Sequence, residues 1–540
     1  MAILELLDHT TPVSSPATLM RANLLAALPL DCGGLAQPTA VATSPYAFLA
    51  SVRATQHDRI LGTRDCQIAL LRFTEPAYEM LSTAICSPLT DHPQIIKVLP
   101  PTASALARPT ANSSPNTQPT KKIQSVIGKV VSHFGRLLLR NLVLPPIGSE
   151  DASAKATGTH FLLATSRSQQ SRMIAASLWF DSNVIEKDSF VHFTRYYLGL
   201  DQLLKPWCPS APPPMLNGPR QSICMAGHEF PTPLRPDCSH LNACPGSYGA
   251  RHAAHERLNR VYAAFIREAG HEAIVNPSTS TMMEGSLGDA HARLLFPKAP
   301  TAAAKDKAEK LACALLASAI VGGSEAAKRQ ADATIRKLTS ECSDSHKGLR
   351  VDCIAELPRT QLWIDVGVVH PTAASKLTQT LNFTRKQFIA ERAARGSRVN
   401  NALTGIPSPP VLTYQTVKER KYAAMALTAS KDARAGKRAR APKMMPCILS
   451  HVGELSPTAL STIELITRAF HTTASKKHYE DGIPLKRRTA QFRTRFKDAI
   501  MCANASGFGR TISLAGQPRA GCSVSSPDVS AGMPDWEVVY

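Results

Sequence analysis

"RVDCIAELPRTQLWIDVGVVHP", residues 350–371, carries two aspartates thirteen positions apart in a strand–turn–strand pattern. Asp365 sits in the middle of an otherwise apolar strand, and Asp352 lies in the strand before it. If the turn is symmetric about Pro358-Arg359, the numbers of paired residues sum to 717 and Asp352 faces Asp365. Cross-strand partners have Cβ atoms about 4.5–5.5 Å apart, and like charges there are destabilising. The stretch therefore asks for a cation between the carboxylates. A hard divalent ion, Mg²⁺ or Mn²⁺, turns the repulsion into a chelate, and a lysine is the other solution. Pro-Arg is not a favoured two-residue turn, but a longer symmetric loop keeps the same register. The competing reading places both aspartates in solvent on an edge hairpin.

A lysine is available in "VKERKY" (417–422), where Lys418 and Tyr422 share a helical face at i, i+4. Near a phosphate, such a lysine stabilises developing negative charge, and Tyr422 is placed to position it. Lys421 competes for the same role.

The rest of the chain supplies context. Its 540 residues suffice for two or three domains with cores of their own. The net charge of +21 points to a polyanionic partner, most simply nucleic acid; acidic protein partners are the alternative. Between Val411 and Arg510 there are 19 Lys/Arg against 7 Asp/Glu, so the charge concentrates there. "KDARAGKRARAPK" (431–443), with Lys437, Arg438 and Arg440, reads as a phosphate-tracking loop, a nuclear-import signal or a solvated linker. No apolar run of about 18 residues exists, so no membrane span is expected. "MAILELLDHTT" at the start lacks a basic stretch and does not read as a secretory signal. Thirteen cysteines in such a chain read as reduced thiols, some of them metal ligands.

Residues 1–120 read as mostly disordered, with a helical patch near 56–73 and a Pro/Ser/Thr-rich linker at 100–120. Residues 121–205 read as helical, with helices over 123–144, 168–180 and 190–200. "PWCPSAPPPMLNGPR" (206–220) marks a boundary. A helix over 253–270 closes on Gly270, and residues 301–340 are helical with a break at Gly322-Gly323. A basic helical region is expected over 426–510, and a disordered tail over 511–540.

Two further groups carry chemistry. In "CMAGHEFPTPLRPDCSHLNAC" (224–244), Cys224, His228, His240 and Cys244 form two closely spaced pairs that suit tetrahedral Zn²⁺. Cys238 is a substitute for either histidine. Arg251-His252 opens the next helix, where an N-terminus favours anions and an arginine can hold a phosphate.

Taken in order, these pieces resemble the C-terminal region of site-specific non-LTR (LINE-like) retrotransposon polyproteins. That region carries a CCHC zinc motif, an Arg-His motif, a proline-aspartate followed twelve to fourteen residues later by another aspartate, and a lysine–tyrosine motif. The matching stretches are "HLNAC" (240–244), "RHAAHERL" (251–258), residues 350–371 and "KERKY" (418–422). The resemblance covers about 170–510. It implies an α/β fold: a restriction-like endonuclease core, a mixed sheet flanked by helices, over 251–425. Helical N- and C-terminal regions and disordered linkers flank it, a zinc module lies at 220–250, and a helical insertion falls near 285–349. It also implies Mg²⁺-dependent (or Mn²⁺-dependent) nicking of DNA with Asp352, Asp365, Lys418 and Tyr422 at the centre. Arg251 and His252 would hold DNA or support the core, element RNA is a possible second partner, and the location would be nuclear.

The departures are specific. Val351 stands where the family has proline, Ala253 where it has Asn or Asp, and the second zinc cysteine is missing. Asn276, with Glu284 as a stand-in, occupies the place of a glutamate found in many relatives. There is no Tyr/Phe-x-Asp-Asp polymerase motif, so the expected chain is a fragment or degraded copy without a reverse transcriptase core. A catalytically inactive nucleic-acid-binding remnant and a basic helical scaffold are the alternatives.

Overall fold

The computed structural model describes residues 16–28, 47–53, 64–85, 93–96, 102–107, 120–166, 184–200, 222–223, 229–230, 248–283, 289–298, 301–319, 324–342, 348–393, 406–437, 439–477 and 482–515, with a few isolated positions between them. In chain order the N-terminal part contributes helices α1 (Pro16–Ala27), α2 (Arg64–Ile85), α3 (Thr120–Val143), α4 (Ala152–Ser166) and α5 (Lys187–Tyr197). A two-stranded antiparallel hairpin follows, β1 (Ser222–Ile223) and β2 (Glu229–Phe230). Then come α6 (Tyr248–Glu268), β3 (Glu272–Val275), α7 (Ala302–Ala319), α8 (Glu325–Ser340), β4 (Cys353–Glu356) and β5 (Gln361–Val369). The chain ends with α9 (Ala374–Ala393), α10 (Pro409–Arg434), β6 (Pro442–Ser450), α11 (Pro457–Ala474) and α12 (Leu485–Ala515). It is a mostly helical α/β structure built round one small mixed sheet.

That sheet has the order β3-β4-β5-β6. The β4–β5 hairpin has the register expected of a symmetric turn: Cys353 pairs with Ile364, Ile354 with Trp363, Ala355 with Leu362 and Glu356 with Gln361. Its turn is closed by Leu357 N donating to Thr360 O at 3.0 Å, so Pro358-Arg359 are the two turn residues. β3 pairs antiparallel with β4, and β6 runs parallel to β5 along all nine residues. A parallel partner needs a long crossover, which α9 and α10 supply.

Alternation along the strands sends two sets of side chains to opposite faces. On one face Cys353, Ala355, Leu362, Ile364 and Val366 meet Leu258, Tyr262, Phe265 and Ile266 of α6, Ile463 and Ile466 of α11, and Phe492 and Phe496 of α12. On the other, Ile354 and Trp363 pack with Met282, Met283, and Tyr422 and Met425 of α10. Both faces are covered, which is why β5 reads as a nearly continuous apolar run and why Asp365 within it stands out. α6 forms because Leu258, Val261, Tyr262, Phe265 and Ile266 repeat at helical spacing, all buried, and it ends at Gly270, whose φ of +82° suits glycine.

A second core joins the N-terminal helices to this frame. Phe161, Phe193, Tyr196 and Tyr197 of α4 and α5 pack with Leu381 and Phe388 of α9 and with Cys502, Ala505 and Phe508 of α12. α5 lies so close to α12 that a Cβ at Gly509 would collide with the carbonyl of Ser189. A smaller cluster links α2 to α3 through Tyr78, Leu81, Ile127 and Val130. α7 and α8 form a helical hairpin between β3 and β4, closed by Leu294, Leu311 and Leu338; α7 ends at Ala319 and α8 is capped by Ser324, and Gly322-Gly323 lie outside the described residues.

Several sequence expectations change. Residues 1–120 contain α1 and α2 among the described residues, and the helix expected over 56–73 lies at 64–85, with Pro76 inside it. The Ala/Thr/Pro composition concealed this, because these helices are held by packing against α3. Of the helix expected at 168–180 only Met173 is described, and 516–540 lies outside the described residues, whereas 511–515 belongs to α12. Residues 426–510 are not a helical region throughout: β6 lies there, so the sheet extends past residue 425. β6 escaped because it is buried along most of its length and shows no alternation, and because Pro442 and Pro446 read as strand breakers. As the edge strand of the sheet, β6 can carry a residue without an N–H. Among the described residues no helix is long and apolar enough to cross a membrane.

Candidate active site: two aspartates, a lysine and a histidine

Asp352 immediately precedes β4, and Asp365 is the fifth residue of β5. The paired register ends at Cys353 and Ile364; just beyond it Asp352 N donates to Ile364 O at 3.0 Å, and the two carboxylates are near enough to influence each other's ionisation. Lys418 reaches in from α10, with its Nζ 2.9 Å from Asp365 Oδ2. Both members of that pair are nearly removed from solvent, with side-chain exposures of 15% and 4%. The solvent-facing alternative for the hairpin is thereby set aside.

His255 of α6 completes the group. Its Nε2 lies 3.1 Å from Asp352 Oδ2 and 3.2 Å from the carbonyl of Val366. Asp352 Oδ2 also accepts the backbone N–H of Val366 at 2.6 Å. Four separate elements thus converge on one spot: the approach to β4, β5, α6 and α10.

The electrostatics follow from burial and charge. Burial pushes the Asp365 carboxyl up, to about 6; Lys418 draws it down and Asp352 raises it. Burial also opposes ionisation of Asp352, but the hydrogen bond and charge of His255, with Lys418, outweigh it and hold Asp352 below the usual range. For Lys418 burial works against the charge, and Asp365 and Tyr414 more than reverse that. His255 is raised for the same kind of reason: burial lowers it, and Asp352 overcomes burial. The donor set suits a hard divalent ion: two buried carboxylates that repel each other, one of them reluctant to ionise without more positive charge nearby.

The lysine–tyrosine expectation is modified in one respect. The ring beside Lys418 is Tyr414, with Nζ 5.5 Å from its centre, and Lys421 lies over the ring of Tyr422 instead. Tyr422 is fully buried beside Asp365, and its hydroxyl donates to Arg350 O at 2.6 Å, anchoring the chain just ahead of Asp352. Gly367 leaves room for Tyr414: a Cβ there would stand 2.5 Å from Tyr414 Cε1.

Other expected site residues fall elsewhere. Arg251 and His252 do not open their helix, because α6 begins at Tyr248 and places them past its first turn. His252 is one of three side chains, with His255 and Glu256, whose ligand-type atoms lie within 4.8 Å of one another. Asn276 has a φ of +50° and directs its amide to Glu256 Oε2 at 3.2 Å; Glu284 lies outside the described residues. Arg440 remains partly exposed, with its Nη1 paired to Glu356 Oε2 at 2.9 Å. Lys437 is exposed, just past the end of α10, and Arg438 lies outside the described residues. So do Cys224, His228, His240 and Cys244, although the β1–β2 hairpin brackets the first two.

His255 is the site residue that sequence reasoning passed over. Its signal was local: His252, His255 and Glu256 recur at i, i+3 and i+4 on a helix. No protein-family model matches the chain, and no curated protein matches it.

Proposed function

We propose that this chain is a divalent-cation-dependent nucleic-acid phosphodiesterase: a DNA-nicking endonuclease with a restriction-like core, related to those of site-specific non-LTR retrotransposon polyproteins. The observation that carries the reading is the convergence of Asp352, Asp365 and Lys418, distant parts of three elements, in one buried cluster. The mixed sheet with helices on both faces is consistent with such a core. Asp352 and Asp365 would hold Mg²⁺ or Mn²⁺, which when bound supplies a Lewis acid for a phosphoryl oxygen and lowers the pKa of a coordinated water. Lys418 stabilises the negative charge that grows on the phosphate as its bond to the leaving oxygen breaks. The positive charge of the chain, including exposed Lys437, supplies sequence-independent affinity for DNA and a steep salt dependence. Cys224, His228, His240 and Cys244 are the proposed Zn²⁺ ligands of a module ahead of the core, element RNA is a candidate second partner, and the nucleus is the proposed location.

The test is nicking of supercoiled plasmid in Mg²⁺, comparing wild type with Asp365→Ala. Wild type should convert the plasmid to open circles, and the variant should not. One observation favours a second reading, a binding remnant that no longer cuts: Asp352 faces His255 and Asp365 faces Lys418, so a protonated His255 leaves the cluster neutral without a metal. If both proteins retard the plasmid equally and neither nicks it, that reading replaces the first. A scaffold without nuclease ancestry predicts no zinc by elemental analysis.

A further inference from the structure

We infer that His255 is a positioning residue for the metal site: it fixes one oxygen of Asp352 so that the other is left for the cation. The inference rests on the proposed role of the aspartate pair as a metal site, and it deepens that role.

The tautomer follows from the neighbours. His255 Nε2 has two acceptors around it, Asp352 Oδ2 at 3.1 Å and the Val366 carbonyl at 3.2 Å, so Nε2 must carry a hydrogen. The other ring nitrogen, Nδ1, lies 3.3 Å from the side-chain amide of buried Asn259. Asn259, His255 and Asp352 thus form a relay that ends on Asp352. Each link is held by rigid structure: Asn259 and His255 are one turn apart on α6, and Val366 is the residue after Asp365 on β5.

The relay meets Asp352 at Oδ2, and so does the backbone N–H of Val366. Two donors on the same oxygen stop the carboxylate from rotating about its last bond. Oδ1, gripped by neither donor, is the oxygen presented to a second ligand. Groups outside the coordination shell commonly orient metal ligands in this way, and their loss typically lowers metal affinity 10–100-fold. A different role is conceivable for the same ring, because His252, His255 and Glu256 lie near one another. A direct ligand would need a bare ring nitrogen, and His255 has its Nε2 hydrogen on Asp352 and its Nδ1 under Asn259.

The experiment uses Mn²⁺ as a probe, bound to the full chain and followed by electron paramagnetic resonance, so that no turnover is required. His255→Ala should weaken Mn²⁺ binding about 10–100-fold. His255→Gln, whose amide N–H reaches about as far as Nε2, should recover most of that loss and also guards against a misfolded alanine variant. The electron spin echo of bound Mn²⁺ should show no imidazole nitrogen coupling in the wild type. If wild type binds Mn²⁺ and both variants bind it equally tightly, the positioning role falls while the metal site stands. Imidazole coupling in the wild-type signal would also overturn it, in favour of direct ligation. If wild type binds no Mn²⁺ at all, the metal site itself is lost, and the positioning role with it.

Discussion

Lowering the pH should loosen the seam between the N-terminal helices and the sheet. Three histidines meet there: buried His160 of α4, buried His451 just after β6, and half-buried His370 just after β5. The rings of His370 and His451 stack 3.7 Å apart, and that of His160 lies 6.4 Å from His451 at 20° to it. Around them α5 brings Tyr196, Tyr197 and the buried Arg195, and α12 brings Phe508 and Asn504. The nearby Glu454 is committed to the N–H and hydroxyl of Ser408, and the Asn504 amide to the Ser450 and His451 carbonyls. Among the described residues no carboxylate pairs with any of the three rings, and His160 Nδ1 and His370 Nε2 have no hydrogen-bond partner. Burial pushes His160 down to about 4; burial and then His160 push His370 down to about 3; burial and then the other two rings hold His451 well below its ordinary value.

These histidines fold as neutral rings, while the opened chain protonates near 6.5. Their stabilising contribution is therefore complete above pH 6.5 and declines as pH falls towards the folded values. At pH 5 the opened chain gains about 2 kcal/mol from each of His160 and His370, or about 4 kcal/mol together. Hydrogen exchange in α4 and α5, corrected for the intrinsic pH dependence, should show protection falling at least a thousandfold between pH 7.5 and pH 5, His451 adding to the other two. His370→Phe should remove about 2 kcal/mol of that fall. Protection that changes less than tenfold over the range would refute the reasoning, since the rings would then already be protonated or open to water.

Other expectations follow from the site and its surroundings. Lys418→Met leaves Asp365 buried without its partner and should destabilise by about 3 kcal/mol, seen as a lower urea midpoint. Tyr422→Phe removes the hydroxyl bond to Arg350 O and should cost about 1–2 kcal/mol in the same assay. Gly367→Ala must displace Tyr414 or Ile448, whose Cδ1 would lie 2.9 Å from the new carbon. It should slow nicking by moving the ring beside Lys418, at about 1–3 kcal/mol of stability; unchanged nicking would show that Tyr414 does not place the lysine. Lys437→Ala should reduce the salt slope of DNA binding by about 1, and Arg440→Ala by less, because Arg440 already faces Glu356.

Much of the central hairpin was legible in the sequence. The turn at Pro358-Arg359 and the period-two alternation fix which residues oppose one another, and a register error of one would have turned Asp365 away from Lys418. The face of α6 and the interruption between α7 and α8 were likewise local, carried by spacing within a dozen residues. β6 was not, because an edge strand that is mostly buried lacks alternation and its prolines mimic a loop. The charge of Arg440 was visible in the sequence; its partner Glu356, 84 residues earlier, was not.

The sequence alone determined that the two aspartates lie near each other, because they flank a short turn between neighbouring strands. Only the tertiary structure decided which charges answer them. Lys418, His255 and Tyr414 come from helices more than forty residues from the hairpin, as the three stacked histidines come from separate segments. Contacts of that kind are selected by packing two faces of a sheet at once. Such packing leaves no periodic trace along the chain.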